Sequence, residues 1–267
     1  MCVVYEKKGH VGYIKYDRPE ARNAFSPELI VKTAGIIDDI NRDNNIWVII
    51  LGSTTPGVFS AGADLKLTIP LLNGNREPEN DFDHLVLNDF DLFRKGTLKT
   101  SSTDRPIIAA IDGFCFAAGF EAVMGTDIRI STDRSVFGLP EVSRGIVAWG
   151  GGTSKLARQI PYARAMEMNL TGRRYSAQEM LEFGFLNEVV KEDELLDKAE
   201  ACARQIAENA PLAVRAAKRS IIECLGHPID RVLDIEFETT KHIRPTEDAK
   251  EGPRAFAEKR PPVWRAQ

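Results

Sequence analysis

Two short segments of small residues carry the chemistry that this sequence offers. Phe59-Ser60-Ala61-Gly62-Ala63-Asp64-Leu65-Lys66 follows an apolar run. Its small side chains let a ligand lie against the main chain, where N–H groups act as donors. The Ala63 N–H is the first candidate to hold an oxygen that gains negative charge. The same residues also read as a tight turn with Asp64 as the N-cap of a helix from Leu65, and the two readings are compatible. Asp112-Gly113-Phe114-Cys115-Phe116-Ala117-Ala118-Gly119-Phe120-Glu121 follows a second apolar run and opens a helix. Unpaired N–H groups in that first turn, backed by a helix dipole of roughly +0.5 charge, favour a developing enolate oxygen. Close packing of a helix on a sheet asks for the same small residues, so this segment alone leaves both readings open.

Other candidate motifs are weaker. Gly150-Gly151-Gly152 is followed by no Gly-Lys-Ser/Thr at the offset a P-loop needs, and reads as the start of a helix. His10, His84, His227 and His242 have no metal-ligand spacing. Cys2, Cys115, Cys202 and Cys224 are far apart without a CxxC pair, which suits reduced thiols in a cytoplasmic enzyme. With 35 basic against 39 acidic residues, the net charge of −4 gives no general attraction to nucleic acid. The first residues lack a signal-peptide pattern, and no stretch approaches the roughly 20 apolar residues of a membrane span. The expectation is a soluble, cytoplasmic protein with neither nucleic acid nor membrane as partner.

The elements that must position these segments are legible in part. Val3-Val4-Tyr5 and Val11-Gly12-Tyr13-Ile14 flank Gly9 as a hairpin. Ser26-Pro27-Glu28 starts a helix, with Ser26 as N-cap and Pro27 at the first helical position, ending near residues 42–45. Trp47–Leu51 and Ile107–Ile111 are apolar runs too short for helices, as strands buried on both faces require. Each leads into a glycine-containing turn and then a helix, so the class is α/β. The polar first half of 69–105, with Asn73-Gly74-Asn75 and Pro78, reads as a mobile loop, and a helix is expected over 85–98. Ser176-Ala177-Gln178-Glu179 fits a capping box, and helices are expected over 192–209 and 212–225. At 267 residues and 43% apolar, the chain can bury a full core as one domain with an extension.

The two small-residue segments, in this order and spacing, resemble the crotonase (enoyl-CoA hydratase/isomerase) family. The likeness extends to Arg18-Pro19-Glu20-Ala21-Arg22-Asn23-Ala24, Phe137-Gly138-Leu139-Pro140-Glu141, Leu170-Thr171-Gly172-Arg173-Arg174 and Ala255-Phe256-Ala257-Glu258-Lys259-Arg260, and so to most of the chain. It implies a crotonase (ClpP-like) spiral of ββα units over 1–195 holding the acyl-CoA site. A C-terminal helical trimerisation module would follow over 196–267, giving a homotrimer or a dimer of trimers. The implied reaction is reversible syn addition of water to a 2-enoyl-CoA thioester, without a metal or redox cofactor.

The resemblance also implies roles. Ala63 and Ala118 would give the two N–H groups of the oxyanion hole, although the family usually has Gly-Gly-Gly where this chain has Ala117-Ala118-Gly119. Such a donor survives a Gly-to-Ala change where φ is negative, and each is typically worth roughly 2.7–4 kcal/mol in the transition state. Glu121 would activate water and Glu141 would exchange the Cα proton. Two neighbouring carboxyl groups titrate as a pair, so one can stay protonated near neutrality. Arg22, Ala24, Ala61 and Lys66 would line the coenzyme A path, with Phe256 and Lys259 reaching in from a neighbouring subunit. Phe116, Phe120 and Trp149 would shape the acyl pocket, Trp149 standing where the family more often has a small residue.

The scaffold hosts other reactions, so a carnitinyl-CoA-type dehydratase or an enoyl-CoA isomerase is the alternative. Two further rivals are an RNA-binding member using Arg215, Lys218 and Arg219, and a protein that binds CoA esters with little turnover.

Overall fold

The computed structural model describes residues 2–100 and 102–267. It opens with β1 (Val3–Lys8) and β2 (Val11–Tyr16), an antiparallel pair turned at Gly9 as the sequence predicts. Next comes α1 (Pro27–Arg42), whose N-cap Ser26 accepts from Leu29 N–H. Then follow β3 (Val48–Ser53), β4 (Val58–Ser60), α2 (Thr68–Leu72), α3 (Asp81–Asn88) and α4 (Phe90–Gly96). The middle of the chain holds β5 (Ile107–Ile111), β6 (Phe114–Phe116), α5 (Ala118–Val123), β7 (Ile128–Thr132) and β8 (Val136–Gly138). After α6 (Tyr162–Thr171), β9 (Tyr175–Ser176), α7 (Ala177–Glu182) and β10 (Glu188–Val190) come α8 (Leu195–Ala207), α9 (Pro211–Cys224), α10 (Ile229–Thr240) and α11 (Glu247–Ala257).

From β3 to β8, consecutive strands alternate between two sheets. The larger has the order β1-β2-β3-β5-β7-β10 and the smaller β4-β6-β8-β9. Each pair β3/β4, β5/β6 and β7/β8 sends one strand to each sheet, a structural repeat that leaves no repeat in the sequence. The buried runs behave as their composition demands. In β3, Ile49 and Leu51 face the main core while Val48 and Ile50 face a second cluster, and Ile49 pairs in parallel with Ile107. Fully burying each such side chain contributes about 1.5–3 kcal/mol relative to exposure.

The main core lies under α1 and around Phe59, Phe120 and Phe137, and the second cluster on the other face of the large sheet. Leu195, Ala199 and Ala203 of α8 seal that second cluster, so the helix that begins at Leu195 packs on the sheet. The capping box forms at Ser176 and Glu179.

Two expectations need correction. The stretch read as a mobile loop contains α2, and Arg76 pins the turn after it by pairing with Asp83 at 2.8 Å. The helix expected over 85–98 is two, because Asp89 leaves helical geometry (φ −120°, ψ 91°) and its carboxylate caps α4 through Leu92 N–H.

The basic residues considered for RNA are engaged within the chain. Arg215 is buried and donates to Ile46 O, Lys218 pairs with Asp127 at 2.7 Å, and Arg219 pairs with Glu223 at 2.6 Å. Among the described residues no helix is long and apolar enough to cross a membrane, and no group of three or more His, Cys, Asp or Glu is placed to hold a metal.

Candidate active site

The Arg18–Ala24 segment holds the first small-residue segment in place. The Asn23 amide donates to Val58 O and Phe59 O, and Ser60 Oγ donates back to Asn23 O, so the end of β4 is tied to this turn. Arg18 pairs with Asp64 at 2.5 Å. Asp64 Oδ1 also accepts from Lys66 N–H and Leu67 N–H, capping a turn, while the helix itself starts later, at Thr68. Burial pushes the Asp64 carboxyl up, but Arg18 and these N–H groups more than offset it, leaving it below its ordinary value.

The second segment closes on the first at Gly119, where a Cβ would meet Ser60 Cβ at 2.6 Å; no larger residue fits between β4 and α5. Ala118 is the first residue of α5, so its N–H has no intrahelical acceptor. Among the described residues neither the Ala63 nor the Ala118 N–H finds a backbone acceptor. The Gly-to-Ala departure has a different effect at each alanine. Ala118 is helical, whereas Ala117 sits at φ 50°, ψ −129°, a conformation that glycine adopts far more easily.

Both segments line a cavity of about 350 Å³ with Glu121 and Glu141. Glu121, in the first turn of α5, is buried, and its Oε1 accepts from Gly150 N–H at 2.6 Å and Gly152 N–H at 3.1 Å. The glycine run is therefore a cradle for this carboxylate; the start of a helix was expected there, and only a short 3-10 turn (Leu156–Arg158) follows. Glu141 sits in a 3-10 turn (Pro140–Arg144) after β8, and its buried Oε2 has no hydrogen-bond partner. Its carboxyl is pushed up to about 7, first by burial and also by the Glu121 charge, against its own backbone N–H, Arg144 and Lys99. Two carboxyl groups in unlike surroundings, one cradled by donors and one desolvated, suit an acceptor and a donor of protons.

The remaining expected residues divide. Arg22, Ala61, Phe116 and Trp149 line the cavity. Phe120 does not. Its ring is fully buried against Phe137 and Phe185, at 5.8 and 4.8 Å between centroids, because it leaves α5 on the side facing the core. Ala24 is buried in the Arg18 turn, and Lys66 is exposed outside the cavity lining. Phe256 and Lys259 are exposed near the end of the chain.

Two charged lining residues had no place in the sequence reading, Lys99 and Arg144. The Lys99 Nζ lies 3.6 Å from the Trp149 ring centroid, and Trp149 stacks on Phe93 at 5.6 Å. Burial draws the Lys99 amine down to about 8, with Lys155 acting in the same direction and Glu121 and Glu141 opposing.

Residues 6–267 match the family model described as enoyl-CoA hydratase/isomerase. The chain is 37% identical over 257 residues to the enoyl-CoA hydratase EchA19 of Mycobacterium tuberculosis, covering 96% of this chain and 94% of that protein. It is 34% identical over 265 residues to the carnitinyl-CoA dehydratase of Escherichia coli K12, covering 98% of this chain and 97% of that protein. Among solved structures, an enoyl-CoA hydratase from Bacillus anthracis superposes with a TM-score of 0.89 at 32% identity, over the whole of both chains. The mixed α/β architecture with its helical C-terminal region is thus the crotonase fold.

Proposed function

Because the chain belongs to the enoyl-CoA hydratase/isomerase family, we propose that it adds water, reversibly and syn, across the 2,3 double bond of a 2-enoyl-CoA thioester. The observation that carries this reading is the pairing of two unlike carboxyl groups with two unpaired N–H groups on one cavity. In it, the Ala63 and Ala118 N–H groups hold the thioester oxygen as it gains enolate charge. Glu121, fixed by Gly150 and Gly152, takes a proton from the attacking water. Glu141, protonated near neutrality, delivers a proton to Cα; in dehydration the two exchange roles. All charge that develops is met by backbone donors and carboxyl groups, so the reaction as proposed needs no metal or redox cofactor. Coenzyme A enters as part of the substrate along Arg22 and Ala61. Phe256 and Lys259 complete that path from a neighbouring subunit of a homotrimer, a placement that suits their exposure.

A dehydratase working on a 3-hydroxyacyl-CoA is the same site run in reverse, and the likeness to a carnitinyl-CoA dehydratase supports that second reading. The deciding experiment follows loss of the conjugated-thioester ultraviolet absorbance when crotonyl-CoA meets wild type, Glu121→Gln and Glu141→Gln. The proposal requires turnover in wild type and a loss of roughly 10²–10⁴-fold in each variant. Tight binding of CoA esters with no turnover of crotonyl-CoA or longer enoyl-CoA esters would falsify it.

A further inference from the structure

The Lys99 ammonium faces the cavity without a partner. Its backbone is fixed on both sides: Lys99 N–H donates to Arg94 O at 2.9 Å, and Lys155 Nζ donates to Lys99 O at 2.5 Å. The residue before it, Leu98, is buried at φ 54°, and this turn after α4 directs the next side chain to the cavity. The Lys99 stem passes so close to Gly150 that a Cβ there would meet Lys99 Cε at 2.4 Å and Glu121 Oε2 at 2.3 Å. The amine then lies over the Trp149 ring, with the Phe93 ring centroid 4.8 Å away. Among the described residues it has neither a hydrogen-bond acceptor nor an ion-pair partner, although Glu121 and Glu141 act on it through space.

An ammonium has three donors to satisfy, and attraction to a ring face offsets only part of what it loses on leaving water. Lys99 is half-buried, so solvent reaches it in the free protein, and an acyl chain that fills the cavity must replace that solvent with an acceptor of its own. Its place follows from the site: Glu121 and Glu141 face the reacting carbons, and Lys99 lies beside Glu121, in a different segment from Arg22 and Ala61 on the coenzyme A path. In the binding mode proposed above, it meets acyl atoms beyond C3. Charge points to the nature of the group, since the lining holds Arg22, Lys99, Arg144 and Arg174 against only two carboxylates.

We propose that Lys99 selects acyl-CoA esters whose acyl chain ends in a carboxylate, which pairs with Nζ while the Trp149 and Phe93 rings flank the methylenes before it. The inference rests on the acyl-CoA reading above and sharpens it to monothioesters of dicarboxylic acids. An amine titrating at about 8 is largely charged at neutral pH and so available for such a pair.

The test measures binding apart from turnover. Calorimetry at pH 7 compares glutaryl-, adipoyl- and suberoyl-CoA with the methyl-ended acyl-CoA of equal carbon count, on wild type, Lys99→Met and Lys99→Arg. In wild type at least one dicarboxylic ester binds roughly tenfold or more tighter than its methyl-ended partner. That ratio collapses toward one in Lys99→Met and persists in Lys99→Arg. Equal affinities in wild type at all three lengths, or an unchanged ratio in Lys99→Met, overturns the proposal. The hydratase reading is judged separately, by the ultraviolet signal of 2-hexenoyl-CoA and hex-2-enedioyl-CoA. Its failure leaves the binding ratio standing, and the reverse also holds.

Discussion

The Gly150 N–H donates to Glu121 Oε1 across 2.6 Å, joining two residues 29 positions apart in the chain. With the 3.1 Å bond from Gly152, it fixes one oxygen of the carboxylate and leaves Oε2 on the side where Lys99 passes. The absent side chain of Gly150 matters as much as its donor.

Gly150→Ala should therefore act as a catalytic lesion. Its Cβ would fall 2.3 Å from Glu121 Oε2 and 2.4 Å from Lys99 Cε, so carboxylate and amine must both move. A displacement on the order of 1 Å typically costs about 10²-fold in rate. Steady-state kinetics with crotonyl-CoA should show kcat falling by about that factor while the dissociation constant of coenzyme A, held elsewhere, changes less than threefold, on the order of the noise between related variants. An unchanged kcat would mean that Glu121 does not need its observed position.

The two glutamates should separate in an exchange experiment. If Glu141 moves the Cα proton and Glu121 serves the water, butyryl-CoA incubated in heavy water should exchange its Cα hydrogen on wild type and on Glu121→Gln. Glu141→Gln should lose the exchange by roughly 10²–10⁴-fold. Mass spectrometry of the recovered thioester gives the answer, and loss of exchange only in Glu121→Gln would reverse the assignment.

How much of this site was legible depended on the range of the interactions involved. Ser26, Ser176 with Glu179, and the buried alternation of β3 follow from neighbours in the chain, and they appear where the sequence places them. The glycine run at 150–152 reads from the sequence as the start of a helix, because nothing local says that its N–H groups meet Glu121. Lys99 carries no sequence signal at all, because a lysine after a short helix is usually solvated; its burial comes from the Leu98 turn and from the distant Trp149. Phe120 failed for the complementary reason. One position from Glu121, it points away from the cavity because a helix rotates successive side chains by about 100°, and the ring falls among Phe137 and Phe185.

Glu141 should give both stability and activity a pH signature. Its carboxyl titrates at about 7 in the fold against an ordinary 4.5, so between these values the folded state holds more proton than the unfolded one. Raising pH through this window must destabilise the fold, and the penalty is complete above about 7. Urea midpoints of wild type and Glu141→Gln should therefore differ more at pH 8 than at pH 4.5, the variant gaining of order 1–2 kcal/mol after allowance for screening by cavity solvent. In wild type, kcat/KM for hydration should decline above about 7 as the proton donor is lost. The groups that face it, Glu121, Arg144 and Lys99, can move this midpoint, so Lys99→Met should shift it upward. A midpoint that does not move would mean that the lysine charge is not felt at Glu141.

Ala117 tests whether the departure from Gly-Gly-Gly strains the backbone beside the proposed oxyanion hole. At φ 50°, ψ −129° its Cβ is held in a region that L-residues avoid, at a cost of about 1–3 kcal/mol. Substituting glycine removes that cost but gives the unfolded chain more freedom, which offsets about 0.4–1 kcal/mol. The net expectation for Ala117→Gly is a stabilisation of about 1 kcal/mol, read as a higher urea midpoint with an unchanged slope. Activity is the second readout. The strained residue is the N-cap of α5, and Glu121 N–H donates to Ala117 O at 2.9 Å, so the same backbone fixes the Ala118 donor and the start of the Glu121 side chain. If the strain only records a tolerated side chain, Ala117→Gly keeps its kcat. A fall in kcat alongside greater stability would show instead that the Ala117 methyl holds the Ala118 N–H in its working position.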